Sequence, residues 1–416
     1  MKRVAMKRIL GICMILLFLI SSKVHAEDFK VEANQAIAIE TINGKILYEK
    51  NAQDSVPVST LSKVLTIYMV YDAVKSGKLN WNTPVTISDY PYELTVNYNI
   101  SNVPLDARKY TVKELLDTIL VMNANSPAIA LAEKIGGTER RFVDLAKEKL
   151  LNWGIRDANL YNATGLNNSE LGDHIYPGSS NNDENKMSAR DLAIICYHLI
   201  KDFPEVLETT QKTSLNFNGM VLNTHNLMLK NQSYYREDVS GLISSYNSDG
   251  TTSFIATSQE NKILVITVVI GVKSSDQDQF PHFTETNRLL QYILENYKRT
   301  IVLKKGKAIP NTKINIQDGK SKNQALASQS DLIAIEQVNS NSNPTFKTQL
   351  NTKTIVAPFR KGKVVGKATL ETNSKIEKSY LFSKPNVNLI TTKSVKSNFI
   401  FSVWWNKFVR YVNNNL

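Results

Sequence analysis

The chain has 416 residues, 42% of them hydrophobic, and this length is enough for more than one domain. Its formal net charge of +12 suits an anionic partner such as a membrane surface, a cell wall or a nucleic acid. The two cysteines exclude a fold held by a disulfide framework. The five histidines are scattered and form no His-Glu-x-x-His pattern, so the sequence predicts neither a metal site nor a cofactor.

Residues 1–26 are predicted to be a secretory signal peptide. A basic segment at positions 2–8 precedes an uncharged apolar run from Ile9 to Ile20. Val24-His25-Ala26 then supplies the small residues found at a signal cleavage site. A retained membrane anchor is the alternative, but the apolar run is short for a spanning helix, so cleavage after Ala26 is favoured.

Export changes how the charge is interpreted. Cleavage removes five basic residues and no acidic one, which lowers the net charge from +12 to +7. This modest excess suits the outer face of the cytoplasmic membrane, on the cell-wall side. Export and the lack of a groove-reading or base-stacking motif argue against nucleic acid as a partner. Cys196 is then the one remaining cysteine, and its apolar neighbours predict a buried structural thiol.

From about residue 29 to residue 299, strand-like and helical patterns alternate. An Asn43-Gly44 turn between two short apolar runs predicts an N-terminal β-hairpin. Helical periodicity is present over residues 60–75, 112–121, 124–134, 140–153 and 189–200. Runs rich in β-branched residues predict late strands at 253–257 and 263–272. The combination of a sheet with a cluster of helices predicts an α+β domain.

From about residue 301 to residue 393, helical periodicity fades. Short alternating runs such as 333–338 and 363–368 are separated by clusters of Asn, Ser, Gly and Pro. This pattern predicts a small all-β domain, which would stand as a pedestal between the first domain and the C-terminus. The predicted organisation is therefore a signal peptide (1–26), an α+β domain (27–300), a β domain (301–393) and a terminal helix (394–416).

Residues 398–416 have the pattern of an amphipathic helix. One face carries Phe401, Trp404, Trp405, Phe408, Tyr411 and Val412, and the other carries Ser402, Asn406, Arg410 and Asn413. Aromatic rings opposite basic and polar side chains are typical of a helix that lies in the interface of a bilayer. The alternative is a terminal helix docked on the protein's own core. The sequence favours attachment to a membrane surface.

Three short motifs follow one another in the α+β region. Thr60-Leu61-Ser62-Lys63 places a hydroxyl and a lysine one helical turn apart. Asn123-Ala124-Asn125-Ser126 precedes a helix that contains Ala-Leu-Ala-Glu. Val239-Ser240-Gly241-Leu242-Ile243-Ser244-Ser245-Tyr246-Asn247 precedes a Ser-Phe-Ile-Ala strand. In order and spacing they resemble the S-x-x-K, S-x-N and K-T-G motifs of the serine D-alanyl-D-alanine carboxypeptidases, the low-mass penicillin-binding proteins. The versions of streptococci and related Gram-positive bacteria are the most similar.

This resemblance implies a fold and a site. The fold would be a penicillin-binding, β-lactamase-like transpeptidase domain, with an antiparallel sheet and a helical cluster, followed by a small β domain and an amphipathic helix. The substrate would be the D-alanyl-D-alanine end of a peptidoglycan stem peptide. By analogy with the family, the catalytic positions are Thr60, Lys63, Asn123 and Asn125. The substrate-binding positions are Ile243, Ser244, Ser245 and Tyr246, with backbone N–H groups of Thr60 and Tyr246 in the oxyanion hole.

Several of these positions depart from the family pattern. Thr60 stands for the nucleophilic serine, and its methyl group crowds the path of attack. Asn123 stands for a serine, and an amide cannot relay a proton. Ile243 stands for the lysine that would meet the substrate carboxylate and help to lower the pKa of Lys63, so Lys63 is expected to stay protonated. Ser245 adds a side chain where glycine allows a close backbone approach.

These departures leave three functional hypotheses. The favoured one is an impaired or inactive homologue, a pseudoenzyme that binds the cell wall or regulates its synthesis. The alternative is an active carboxypeptidase with Thr60 as nucleophile and Lys63 as base. A β-lactam-binding decoy is weaker, because β-lactams present the same carboxylate that Ile243 cannot pair with. Each residue also has a structural interpretation, in which Thr60, Asn123 and Asn125 merely cap helices.

Overall fold

The computed structural model describes residues 29–247, 249–340, 343–371 and 380–415. The predicted signal peptide lies outside these residues, so its assignment stays a prediction. The described residues from Ala33 onward form one compact unit.

The helices include all five stretches of helical periodicity predicted in the α+β region, with limits that differ by at most three residues. Their bounds are α1 (Lys63–Lys75), α2 (Asp89–Glu93), α3 (Val112–Met122), α4 (Ser126–Gly136), α5 (Glu139–Asn152), α6 (Ala189–Asp202), α7 (Val206–Thr210), α8 (Pro281–Asn296) and α9 (Ile400–Asn415). The helices α2, α7 and α8 were not predicted.

The strands of the first region also include the predicted hairpin. They are β1 (Gln35–Glu40), β2 (Ile46–Lys50), β3 (Val56–Pro57), β4 (Pro84–Thr86), β5 (Lys109–Thr111), β6 (Lys186–Met187), β7 (Ser214–Phe217), β8 (Met220–Asn223), β9 (Val239–Tyr246), β10 (Thr251–Glu260) and β11 (Ile263–Lys273). Five of them form an antiparallel sheet in the order β2-β1-β11-β10-β9. The short pairs are β3 with β6, β4 with β5 and β7 with β8.

Helices cover both faces of the five-stranded sheet. The helix α8 contacts β10 and β11, and α6 contacts β1 and β11. Because both faces are covered, β9, β10 and β11 are buried along almost their whole length. The helix α1 packs among α3, α4, α5 and α6, and every residue from Lys63 to Tyr71 is buried. A helix that is buried on all sides usually carries apolar residues on all sides. A buried lysine at its first position is therefore unusual.

The region after α8 is all-β, as predicted. Its strands are β12 (Tyr297–Leu303), β13 (Ala308–Gln317), β14 (Asn323–Ser328), β15 (Leu332–Gln337), β16 (Thr345–Leu350), β17 (Thr354–Val356), β18 (Val364–Glu371) and β19 (Asn386–Thr391). A six-stranded sheet has the order β16-β18-β19-β14-β13-β17, and β12 pairs with β15. This region has its own apolar core, around Ile314, Leu326 and Leu389. The fold class is confirmed, whereas the domain limits stay predictions.

The terminal helix α9 exposes its aromatic face. Trp404 and Trp405 are 64% and 58% exposed, and Phe401, Phe408 and Tyr411 are exposed as well. The polar face is the one that docks, because Arg410 forms a salt bridge of 2.9 Å with Asp318. The aromatic face is therefore not packed on the core. Within the described ranges, no helix has the length and apolar character needed to cross a membrane.

Candidate functional site

The first motif forms the turn that leads into α1. Thr60 lies in a 3-10 turn over Ser59–Ser62 and is partly exposed, and Lys63 is the first residue of the helix. The hydroxyl and the lysine are therefore one turn apart. The interpretation of Thr60 as a helix cap is wrong, because Ser62 occupies the N-cap position and no side chain caps the helix there.

This turn is held from one side by the loop at residues 162–166. Gly165 has φ +79°, and a Cβ atom added to it would lie 1.8 Å from the carbonyl oxygen of Ser59. Only glycine fits at this close approach. Ser62 donates to the same carbonyl over 3.1 Å and accepts a hydrogen bond of 2.9 Å from Asn185. The backbone that carries Thr60 is thus fixed by contacts distant in sequence.

Lys63 is fully buried and its ammonium position is defined by two acceptors. Its Nζ atom lies 2.6 Å from Oδ1 of Asn125 and 3.3 Å from the carbonyl oxygen of Thr164. Burial lowers the pKa of Lys63 well below its usual value. This lowering needs no cation at position 243, because desolvation by itself disfavours the charged form, and the protonation state of Lys63 stays a prediction.

Asn123 links the three motifs through one side-chain amide. It ends α3 in a left-handed conformation with φ 60°. Its Nδ2 atom donates to the carbonyl oxygen of Ser244 over 2.7 Å and to Oγ1 of Thr60 over 3.1 Å. Because a carbonyl only accepts, this contact fixes which end of the amide is nitrogen. The Oδ1 atom is consequently buried without a partner in the described part of the chain.

Asn125 connects the lysine to a further loop. While Oδ1 accepts from Lys63, Nδ2 donates to the carbonyl oxygen of Ser101 over 2.9 Å. Asn125 stands at the N-cap position of α4 but makes no capping hydrogen bond with its side chain. Asn123 instead occupies the C-cap position of α3. The interpretation that the side chains of these two asparagines cap the N-terminus of α4 is therefore wrong.

The third motif lies on the edge strand β9. Ile243, Ser244 and Ser245 are all buried, at 5%, 3% and 1% exposure. Ile243 belongs to the main apolar core, and Ser245 donates to Oδ1 of Asn247 over 3.2 Å. Tyr246 is exposed at 42%, and burial of its hydroxyl raises the pKa to about 12. The strand thus presents hydroxyl and backbone groups, and no charge.

A narrow pocket opens between α3 and β9. Its inner cavity volume is about 10 Å³, enough for one water-sized group. Its lining includes Asn123, His225, Asn226, Ile243 and Ser244. The second and third motifs therefore meet at a site with neutral polar walls beside an apolar one.

Four residues of this site had no predicted role. Ser101 and Thr164 contribute only backbone carbonyl groups, so their side chains give no signal. His225 and Asn226 come from the segment between β8 and β9 and carry no motif of their own. Only the three-dimensional arrangement brings them to the pocket.

Comparison with known proteins gives one consistent set of relatives. A family model described as D-alanyl-D-alanine carboxypeptidase matches residues 21–274, and one described as penicillin-binding protein 5, C-terminal domain, matches residues 297–397. The D-alanyl-D-alanine carboxypeptidase DacF of Bacillus subtilis is 23% identical over 351 residues, which cover 83% of each chain. DacA of Haemophilus influenzae is 26% identical over 362 residues, which cover 85% of this chain and 86% of DacA.

Solved structures agree with these matches. The crystal structure of a peptidoglycan synthesis regulatory factor (PBP3) from Streptococcus pneumoniae is 42% identical with a TM-score of 0.82, and the match covers 88% of this chain and 100% of that one. Penicillin-binding protein 5 from Haemophilus influenzae has a TM-score of 0.68 at 24% identity, covering 89% and 99% of the two chains. The latter likeness concerns the fold alone.

Proposed function

Because the chain belongs to the D-alanyl-D-alanine carboxypeptidase family, we propose that it binds the D-alanyl-D-alanine end of peptidoglycan stem peptides while hydrolysing them poorly or not at all. It acts as a wall-binding or regulatory homologue. The observation that carries this proposal is the hydrogen bond from Asn123 to the hydroxyl of Thr60.

A hydroxyl becomes a nucleophile when a neighbouring base accepts its proton. In the described residues, the side-chain hydroxyl of Thr60 accepts from Asn123 and makes no hydrogen bond to Lys63. The Lys63 amine is directed to Asn125 and Thr164 instead. An amide nitrogen that donates to the nucleophile cannot take its proton. This arrangement favours loss of activity.

The substrate side supports the same conclusion. A terminal carboxylate bound at β9 would face Ile243, a buried member of the apolar core. An unpaired charge placed against apolar groups costs several kcal/mol, on the order of the free energy of a whole binding interaction. Weak binding of the peptide, and weak acylation by β-lactams, are the expected result.

The second candidate is an active carboxypeptidase, and the lowered pKa of Lys63 favours it. A neutral amine is the form that a general base requires. In this reaction Oγ1 of Thr60 would attack the peptide carbonyl while Lys63 takes the hydroxyl proton. The peptide bond would then break to leave an ester on Thr60, and D-alanine would leave with the proton returned by Lys63. Water would then cleave the ester. Asn123 would first have to release Thr60.

A regulatory role is supported by the likeness to one of the solved structures. The protein from Streptococcus pneumoniae is described as a peptidoglycan synthesis regulatory factor, and it is 42% identical to this chain. A protein that retains the cleft but little of the chemistry suits such a role. Binding without turnover would leave the stem peptide intact.

The location proposed for the protein is the outer face of the cytoplasmic membrane. Export through the signal peptide at residues 1–26 would bring it there. The helix α9 would attach it, because its exposed aromatic face can enter the bilayer interface while Arg410 and Asn406 stay against Asp318.

The deciding experiment uses the chain from residue 27 onward, with a Thr60→Ala control. It measures release of D-alanine from diacetyl-Lys-D-Ala-D-Ala, covalent labelling by a fluorescent penicillin, and binding of the peptide by calorimetry. Binding without release or labelling is expected. Release or labelling that disappears in the control would establish the active enzyme and overturn the proposal.

A combined variant tests whether the substituted motif residues alone account for the expected lack of acylation. Thr60→Ser, Asn123→Ser and Ile243→Lys together restore the family pattern at three positions. We expect this variant to be labelled by penicillin, because the fold around Lys63 and Asn125 is intact. A folded variant that stays unlabelled would place the defect elsewhere in the site.

A further inference from the structure

His225 occupies a fixed position beside the pocket. Its backbone N–H donates to the carbonyl oxygen of Val121, at the end of α3, over 3.2 Å. The preceding residue, Thr224, is held by Thr213 over 2.9 Å and accepts from the backbone N–H of Asn226 over 3.0 Å. His225 therefore lines the same pocket as Ile243, and contacts of the backbone hold it in this position.

The ring itself is partly buried and has no hydrogen bond to any described residue. Burial lowers the pKa of His225, and the nearby Lys63 lowers it further. The other residues that line the pocket, from α3, from the segment around Asn226 and from β9, are uncharged. Both effects disfavour the charged imidazole in the free protein, and no acidic residue lines the pocket within the described part of the chain.

Two buried polar atoms in the pocket also lack partners among the described residues, namely Oδ1 of Asn123 and Nδ2 of Asn226. Both side chains are more than nine-tenths buried. The orientation of Asn226 is fixed because its Oδ1 atom accepts from the backbone N–H of Met228 over 3.0 Å. An unpaired donor and an unpaired acceptor in one pocket indicate a place for a ligand group, since buried polar atoms are normally hydrogen-bonded.

A protonated histidine would satisfy this arrangement better than a neutral one. An imidazolium has two N–H donors, so it offers one to the unpaired Oδ1 of Asn123 and one to an anion. Nδ2 of Asn226 offers a further donor to the same anion. The inner cavity admits one oxygen atom of a carboxylate while the rest of the ligand remains in the cleft.

We propose that His225, in its protonated form, binds the terminal carboxylate of the peptide ligand and so supplies the positive charge that Ile243 does not. This inference rests on the proposed function, because it assumes that the D-alanyl-D-alanine end binds in this cleft. The proton that His225 gains comes from the solvent as the ligand enters. His225 is a specificity residue in this role and takes no part in bond cleavage.

The consequence is binding that depends on pH. The carboxylate raises the pKa of His225 in the complex above its lowered value in the free protein. Affinity is therefore highest below the pKa of the free protein and falls as the pH rises through the window between the two values. The total loss is about tenfold for each pKa unit by which the ligand raises His225.

Calorimetry on the chain from residue 27 onward tests this inference directly. Diacetyl-Lys-D-Ala-D-Ala and its C-terminal carboxamide are titrated at about pH 5.5 and about pH 7.5, either side of the ordinary histidine pKa. Two buffers with different enthalpies of ionisation reveal proton uptake. We expect the carboxylate peptide to bind with proton uptake and more tightly at the lower pH. The carboxamide should bind more weakly and without uptake.

The His225→Gln variant keeps a polar side chain but cannot be protonated, so its binding should be weak at both values of pH. His198→Gln is the matched control, because His198 is also partly buried with a lowered pKa but stacks on Trp153 outside the pocket. Wild-type binding without proton uptake, or equal binding of the carboxamide, overturns the role of His225 and leaves the proposed function standing. No binding of the peptide at either pH overturns the proposed function itself.

Discussion

The two sides of the cleft differ in how their polar groups are buried and hydrogen-bonded. On the helical side, Lys63 and Asn125 are buried and hydrogen-bonded to each other and to backbone carbonyls. On the strand side, Ile243 belongs to the apolar core and the hydroxyl of Ser245 donates to Asn247, just past the end of β9. A buried lysine cannot lose its partners without cost, whereas the side chain of Ile243 needs no hydrogen-bond partner. The hydrogen-bonded polar network of the cleft is therefore concentrated on its helical side.

The largest loss of stability should come from substituting the glycine that packs against the turn before α1, on the helical side of the cleft. Gly165→Ala places a methyl group against the backbone of Ser59, at a φ that alanine rarely adopts. We expect a loss of about 4 kcal/mol or more in the free energy of unfolding. Urea denaturation measures it. Gly154→Ala is the control, because Gly154 also has a positive φ but nothing lies within 4 Å of its added Cβ, so about 1 kcal/mol is expected there. Equal losses would contradict the close approach.

A pair of smaller substitutions compares the two sides directly. Asn125→Ala leaves the Lys63 amine and the Ser101 carbonyl short of partners, so a loss of about 2 kcal/mol is expected. Ser245→Ala on the strand side removes one weak contact and should cost less than about 1 kcal/mol. Both are measured as shifts in denaturation midpoint. The reverse order would mean that the strand side carries the network.

The smallest effect concerns a polar contact far from the cleft. Although burial opposes it, hydrogen bonds and charge from Arg410 hold the pKa of Asp318 below its usual value. Asp318 therefore stabilises the docked helix fully at pH values above the pKa that it has in the unfolded chain. This stabilisation is lost as the pH falls through the lower pKa that it has in the folded protein. Acid should therefore release α9, seen as a change in the fluorescence of Trp404 and Trp405.

Asp318→Asn should abolish that acid transition and leave the helix partly released at neutral pH. Asp276→Asn, at an exposed position in a loop, serves as the control and should change nothing. A fluorescence transition that survives Asp318→Asn would show that another group holds the helix.

The sequence was informative where its signals are local. Helical periodicity located α1, α3, α4, α5 and α6, and the Asn43-Gly44 turn located the first hairpin. The order of the motifs led to the family, which the comparisons support. These features depend on spacing along the chain, and spacing can be read without a structure.

The rest of the site depends on burial and on contacts between distant segments. The lowered pKa of Lys63 follows from the complete burial of this side chain at the start of α1, which no neighbour in sequence reveals. The amide of Asn123 reaches Ser244, 121 positions away, and this contact decides what Thr60 can do. His225 showed no signal because its importance comes from a pocket formed by α3 and β9.

The hydrogen bonds of Asn123 also have a consequence for the rate of ligand entry. Its amide joins Thr60 to β9, so the walls of the cleft are held together at the point where a peptide would have to insert. Association should therefore be limited by the opening of this internal contact and be slower than an ordinary encounter between a protein and a small peptide. Once the peptide has entered, the same contact can close behind it. A slow-binding, long-lived complex is what a sensor of stem peptides would need in order to report their presence rather than their passage.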